Sequence, residues 1–535
     1  MLDFVLTNGR LIDGTGAPWR RCDIGVKDGK IVRIGKLVER KGNALFAHPA
    51  AKEIIDCADQ YLTPGFIDIH SHSDVSIEEN PQAESRIFQG ITTELTGNCG
   101  MSCAPCSEEE AKRKDLRDYI GDLPYTWRTV GDFLSYLEKD VKPSVNQAFA
   151  VGHGSIRIGV MGFADRAPSE EELAAMKRLL EEALDDGAFC MTSGLIYPPG
   201  CYSKTEELIE LAKVLQAKGS WYQTHMRNEG ANIMEALKEA IRIAEEAGVP
   251  LQVSHHKVLG RDNWRSLCYK TTALIEKARA EGLDVQCDQY PYIATATSLG
   301  SNVPNACFEG GVEKMLERIT HEPDRQAIVQ AMNQSHKGRW QDIYVSYAEN
   351  EDLAWLVGKN MVEIGEQRGL DPASACLDIL TATRGRAGEV QFSMAEEDVE
   401  YIMKKPYVMT GSDGNAFSLA YRGKPHPRAY GAFVRVISHY ARDRKLFSIE
   451  EAVRKMTSMP AARMGLEDRG LIKEGYWADL VLLNLEKLED TPTYKEPKQA
   501  CRGIDRVYVN GVLTAQGGRH TGARCGKILR RAHLR

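Results

Sequence analysis

Eight short apolar runs recur along this chain with helix-forming segments between them, and that alternation restricts the fold more than any other feature. The runs are Phe66 to Ile69, Thr92 to Leu95, Ala148 to Val151, Phe189 to Thr192, Trp221 to Thr224, Leu251 to Ser254, Asp284 to Cys287 and Tyr407 to Thr410. Helical stretches fall between several of them, at Ser169 to Asp185, Lys204 to Ala217 and Asn232 to Glu246. The first of these opens on Ser-x-x-Glu, a pattern in which the serine and glutamate cap each other's backbone N–H groups. Strands separated by helices are joined by crossovers and therefore run parallel. The expected fold is α/β: a (β/α)8 TIM-like barrel over residues 59–469, with reactive groups just past the strand C-termini.

The flanks have a different texture. Residues 1–58 read as short strands and turns, with Asn8-Gly9 and Asp28-Gly29 as hairpin signals between apolar runs. Ala478 to Leu483 and Arg506 to Gly511 repeat that style. Residues 1–58 and 470–520 are therefore expected to meet in a small discontinuous β-sandwich domain. Two stretches exceed a minimal barrel: about 100–145 after strand two, and an insertion at about 295–400 after strand seven; long insertions over the catalytic face serve as lids or binding loops, with a stabilising surface subdomain as the alternative.

Composition excludes several classes of partner. With a net charge of -7 the chain has no basic field for nucleic acid, and it contains no apolar run long enough to span a membrane. The acidic N-terminus lacks a signal-peptide core, so a cytoplasmic location is expected. The 13 cysteines are an odd number scattered through strand-like segments, which suits reduced thiols.

The chemistry gathers at the strand ends. Strand one runs into His70 and His72, whose spacing lets both imidazoles face one way. Strand two ends in Gly97-Asn98-Cys99-Gly100, strand five in His225, strand six in His255-His256, and strand eight in Gly411-Ser412-Asp413-Gly414. Histidine, cysteine and aspartate from five strand ends on one barrel face make a divalent metal site. His256 should point to the opposite face from His255 and pack. His153, at the end of strand three, suits a structural role as well as a substrate contact. Cys103 and Cys106 have no second Cys-x-x-Cys to complete a structural zinc site and are expected to be isolated thiols.

These segments resemble the metal-dependent amidohydrolase superfamily and, within it, the D-aminoacylases, the N-acyl-D-amino-acid deacylases. The resemblance spans nearly the whole chain. It includes Val151-Gly152-His153-Gly154, Thr192 to Pro199, Thr224-His225-Met226-Arg227-Asn228-Glu229, Asp288-Gln289-Tyr290-Pro291-Tyr292, His426-Pro427-Arg428 and Ala478-Asp479-Leu480. It implies hydrolysis of an N-acyl-D-amino acid to a carboxylate and a free D-amino acid, and it alone supplies the D stereochemistry. Many binuclear members bridge their metals with a carboxylated lysine on strand four. Here that strand ends Cys190-Met191-Thr192-Ser193, and the resemblance gives the bridging place to Cys99. It further implies a tightly bound zinc on Cys99, His225 and His255, and a second, weaker metal on His70, His72 and Asp413.

Zinc would lower the pKa of a bound water toward ~7 and polarise the carbonyl. Asp413 would act as general base and then general acid. The resemblance supports Lys257, Tyr290 and Arg428 as contacts to a small-molecule substrate's carboxylate, and places Tyr197 at the acyl pocket. Thr295 to Gly300 holds no basic residue, which favours a neutral or apolar amino-acid side chain. Two other readings use the same scaffold: hydrolysis of cyclic amides such as hydantoins or imides, which need no carboxylate clamp, and a barrel that binds or assembles without catalysis, which would be expected to have lost ligands.

Overall fold

The computed structural model describes residues 1–42 and 44–531. Strand one (Phe66–Asp68), strand two (Ile91–Thr96), strand three (Asn146–Phe149, resuming as Val151–Gly152), strand four (Met191–Gly194), strand five (Tyr222–His225), strand six (Leu251–Val253), strand seven (Val285–Gln289) and strand eight (Val408–Thr410) pair in chain order, each parallel to the next. Just past the strand ends, Asp413 N donates to His70 O and His72 N to Gly414 O, both at 2.8 Å. Strand eight therefore meets strand one, and the fold is of TIM-barrel type.

A buried ion pair reinforces that junction. Arg86, fully enclosed, donates to Asp68 Oδ2 at 3.1 Å and Ser412 Oγ at 2.7 Å, and to the carbonyls of Asn415 and Ala429. Burial pushes the Asp68 carboxyl up to about 6 against the opposing pull of Arg86. Removing one partner of such a pair strands the other charge at a cost of roughly 3–5 kcal/mol, so strand one and the loop after strand eight are held as a unit.

Strands from both termini share one nine-stranded sheet. Leu480–Leu483 pairs antiparallel with Tyr61–Pro64, which in turn pairs with Leu2–Leu11. Asp28 and Gly29, at φ 51° and 75°, make the expected tight hairpin between Arg20–Lys27 and Lys30–Gly35. Asn8-Gly9 does not make one. Leu2–Leu11 is a single strand along Arg20–Lys27, with a register shift between Leu6 and Gly9 where Asn8 takes φ 58°. A positive-φ asparagine serves a β-bulge as readily as a hairpin turn, and here the long partner strand decides between them.

The excursion after strand two contributes helices Glu110–Ile120 and Val130–Tyr136. Its Trp127 indole donates to Cys103 O at 2.7 Å. Cys103 and Cys106 are buried thiols, and neither belongs to a metal-competent donor group among the described residues. Among those residues no helix is long and apolar enough to cross a membrane.

The insertion after strand seven carries three antiparallel strands, Ala294–Ser298, Ile343–Ala348 and Ala387–Phe392, with the last in the middle. Four helices between Val312 and Ala382 close its own apolar cluster, which includes Leu299, Val345, Ile364 and Leu377. Tyr202 Oη donates to Asn305 O at 2.6 Å, and Asn305 Nδ2 donates to Ile196 O at 3.1 Å. These contacts seat the insertion on the loop after strand four.

Glu389 lies buried in this subdomain and accepts from Asn302 Nδ2 at 2.6 Å, and among the described residues it forms no ion pair. Burial drives its carboxyl up to about 8, although Asn302 and Ser301 pull the other way. The unfolded carboxyl titrates near ~4.3. Between the two values the folded chain holds a proton that the unfolded chain lacks, so stability falls as pH rises through this window and levels off above it. Glu389→Gln removes the effect. Urea unfolding at pH 5 and pH 8.5 should show the variant gaining a few kcal/mol, on the order of the pKa gap, over wild type at the higher pH only; an equal difference at both pH values would contradict the assignment.

Candidate metal centre

The loop that presents Cys99 can be made only by small residues. Gly97 and Gly100 both sit at φ 78°, a region L side chains avoid. A Cβ on Gly97 would fall 2.0 Å from Ala150 O, and one on Gly100 would fall 2.4 Å from Gly194 N. Between them, Asn98 donates to Leu95 O and Ser71 O and accepts from Gln223 Nε2 at 2.6 Å. The loop is thus pinned from strands one and five, and the Cys99 thiol projects into the barrel mouth. Cys99, His255 and Asp413 all hold positive φ, at 53°, 34° and 52°. Strain of that kind persists only where the surroundings enforce it.

Cys99 Sγ lies 3.4 Å from His70 Nε2 and 3.3 Å from His255 Nε2. Asp413 Oδ1 lies 3.5 Å from His70 Nε2 and 3.0 Å from His72 Nε2. His70, Cys99, His255 and Asp413 offer donor atoms all within 4.8 Å of one another; His225, Glu229 and His255 form a second such group. All six expected ligands therefore converge. His255 belongs to both groups, and Cys99 contacts His70 as well as His255.

Charge explains the cluster's chemistry. Burial alone would keep the Cys99 thiol protonated, but His255 and His70 outweigh it and hold the thiol well below its ordinary range. Burial likewise opposes ionisation of Asp413, and Arg428 followed by His255 overcomes it. Thiolate, imidazole and carboxylate together form a donor set suited to zinc. Neither ring nitrogen of the buried His225 has a hydrogen-bond partner, and a metal would satisfy one of them. The residues fit the ion.

Two carboxylates that were not singled out from the sequence support the imidazoles. Asp288 Oδ1 accepts from His255 N at 2.8 Å and lies 2.9 Å from His70 Nδ1, while Oδ2 accepts from Gln252 at 2.9 Å. It turns His70 so that Nε2 faces the centre, as carboxylates that accept from the far ring nitrogen of metal-binding histidines do. Glu229 Oε1 lies 3.1 Å from His255 Nδ1, and Oε2 lies 3.4 Å from His225 Nε2. Both acids stand in segments that carry the family resemblance. The inward parity of Asp288 on strand seven was the available signal for the first; Glu229 sits in a loop where period gives no guidance.

The expected substrate contacts surround the same space. Lys257 Nζ donates to Glu229 Oε1 and reaches His255 Nδ1, each at 2.7 Å. Arg428 Nη1 pairs with Asp413 Oδ2 at 2.7 Å, and Nη2 donates to Ala296 O at 2.9 Å. Tyr290 is buried with its hydroxyl unpartnered, and the Arg428 and Lys257 cations lie 4.8 and 5.6 Å from its ring centroid. The Tyr197 ring lies 5.0 Å from that of His225, and its hydroxyl bonds Thr297 at 3.2 Å. His256 turns outward to Thr271 at 3.1 Å, and His153 packs against Glu207 at 2.8 Å; neither joins the cluster.

The Amidohydrolase family model matches residues 53–515 of this chain. A D-aminoacylase of Alcaligenes xylosoxydans xylosoxydans is 37% identical over 99% of this chain and 98% of its own. A solved D-aminoacylase, studied for one-metal activation and second-metal attenuation in its binuclear centre, superposes with a TM-score of 0.83 at 34% identity, covering 99% of this chain and 100% of its own. An N-acyl-D-glutamate deacylase of Bordetella bronchiseptica, solved with zinc and a phosphonate mimic of the tetrahedral intermediate, superposes at 0.82 with 32% identity over 99% and 100% of the two chains.

The charge balance at Cys99 can be tested directly. Burial raises the thiols of Cys57 and Cys106 to about 12, whereas His255 and His70 hold Cys99 well below the ordinary thiol range. In metal-free protein at pH 6, iodoacetamide should alkylate Cys99 ahead of these two, and added zinc should protect it. Peptide mass spectrometry reads both; equal labelling, or labelling that zinc does not slow, would contradict the reading.

Proposed function

The chain belongs to the amidohydrolase family, and from that membership we propose that it is a zinc-dependent deacylase of N-acyl-D-amino acids with neutral or apolar side chains. The observation that carries the reading is the arrangement around Tyr290: an unpartnered buried hydroxyl flanked by two cations, beside a thiolate-centred donor cluster. A substrate carboxylate supplies the acceptor that the hydroxyl lacks and the second counter-charge that Lys257 and Arg428 can take. A cyclic diamide offers no such group.

In this reading Cys99, His225 and His255 hold the tight zinc, and His70, His72 and Asp413 provide a weaker second position. When bound, zinc polarises the scissile carbonyl and acidifies a water. The protein does the rest. Asp413, kept ionised by Arg428, accepts the proton of the attacking water and passes it to the departing nitrogen as the C–N bond breaks. Lys257, Arg428 and Tyr290 hold the carboxylate, which fixes which face of the amide meets the nucleophile. Tyr197 borders the acyl group. The barrel at 59–469 is the catalytic domain, 1–58 with 470–520 forms the small β-sandwich, and the insertion at about 295–400 covers the site and shapes the side-chain pocket. The 13 cysteines, all free, suit the reducing cytoplasm we assign to the protein.

Zinc-loaded enzyme offered paired N-acetyl D- and L-amino acids should release free amino acid from the D members. Turnover of only the L members, or of hydantoin in preference to both, would overturn the proposal. Lys257→Met should raise KM about 10–100-fold, the worth of a hydrogen bond to a charged group, and Arg428→Met should do the same and also lower kcat by releasing Asp413. Asp413→Asn should lower kcat by about 10²–10⁴-fold. Steady-state kinetics normalised to bound zinc separates the two classes.

A further inference from the structure

Glu229 Oε1 stands 2.7 Å from Lys257 Nζ and 3.1 Å from His255 Nδ1, and Lys257 Nζ is itself 2.7 Å from that same ring nitrogen. These contacts compete. If the ammonium donates to Nδ1, that nitrogen carries the lone pair, and a neutral ring bears its proton on Nε2, facing Cys99 Sγ. Nε2 can take a metal only when the ring proton has moved to Nδ1. That N–H then needs an acceptor, and Glu229 Oε1 is in place to be one. The ammonium can no longer use Nδ1, so one of its N–H groups is set free.

We infer that Glu229 is a positioning residue that accepts from His255 Nδ1, leaving Nε2 to a metal, and from Lys257 Nζ, holding the ammonium beside the substrate carboxylate. Metal loading and recognition of the substrate are coupled through this one carboxylate. The geometry of its segment supports a fixed role. Glu229 is buried, and its carbonyl accepts from Leu259 N at 2.8 Å, which ties the loop after strand five to the loop after strand six. Arg227, two residues earlier, anchors the same loop to Glu239 and to the carbonyls of Cys201 and Ser203. The other charged groups at the site, Asp413 and Asp288, approach different atoms: Asp413 meets Arg428, and Asp288 meets His70 Nδ1. Glu229 Oε1 is thus the carboxylate oxygen at His255 Nδ1.

The inference rests on the deacylase reading for the role of Lys257, and its test separates the two. Zinc-loaded wild type, Glu229→Gln and Glu229→Asp are titrated with a chromophoric chelator, and KM and kcat are measured on N-acetyl-D-methionine, after thermal melts establish folding. Glu229→Gln leaves one neutral amide oxygen to serve two donors. It should surrender zinc at about 10–100-fold lower chelator concentration, the usual effect of losing the group that orients a metal-binding histidine, and raise KM by about tenfold. The kcat of the zinc-bound fraction should stay within about threefold of wild type, since the residue touches no reacting atom. Glu229→Asp, which keeps the charge, should recover part of both losses and carries the same readouts if the glutamine variant does not fold. Zinc retention and KM both within twofold of wild type would overturn the inference. So would movement of one without the other, or a collapse of kcat at unchanged KM. If wild type releases no amino acid from the substrate, the deacylase reading fails, and the chelator titration alone still decides whether Glu229 orients His255.

Discussion

The Cys99 thiolate, held against His70 and His255, is the contact on which the rest of the site depends. A buried anion is tolerated only when opposite charge or metal lies beside it. Every neighbouring residue answers that requirement, directly or at one remove. His70 and His255 bring positive charge to the sulfur; Asp288 then steadies His70, and Glu229 steadies His255. Asp413 closes the ring of donors and is matched by Arg428.

This nesting of charge explains why the cations expected to hold the substrate are already paired. Lys257 and Arg428 each sit on a carboxylate of the centre, and both flank the Tyr290 ring. A buried lysine or arginine without a partner would be costly before substrate arrives. Pairing each with an acid that also touches the metal donors solves the cost and ties binding to chemistry. The scaffold holds the arrangement through backbone that few residues can adopt, with Gly97 and Gly100 on either side of the thiol and Arg86 bracing strands one and eight.

Much of this was legible in the sequence because it follows from the recurrence of strands. The strands deliver His70, His72 and His255 to the barrel mouth, but His70 and His72 lie past the end of strand one and His255, at φ 34°, past the end of strand six, so the loops rather than alternation aim their rings. Parallel strands bring His70, Cys99, His225, His255 and Asp413 to one face although they are spread over more than 300 residues. What depends on loops was not legible. Asn8-Gly9 is locally a hairpin signal, and only the long partner strand makes it a bulge. Glu229 lies four residues beyond His225 in a segment without period, and its contact with His255 is set by how the two loops pack. The insertion's fold was unreadable for a related reason: its three strands pair across long helical connections, so its register is tertiary.

In the proposed centre Cys99 supplies a sulfur ligand to a zinc ion at the mouth of the barrel. Zinc K-edge X-ray absorption on the purified protein tests it most directly. The expected spectrum shows one sulfur scatterer at about 2.3 Å together with imidazole nitrogens at about 2.0–2.1 Å. A zinc shell made of nitrogen and oxygen alone would contradict it.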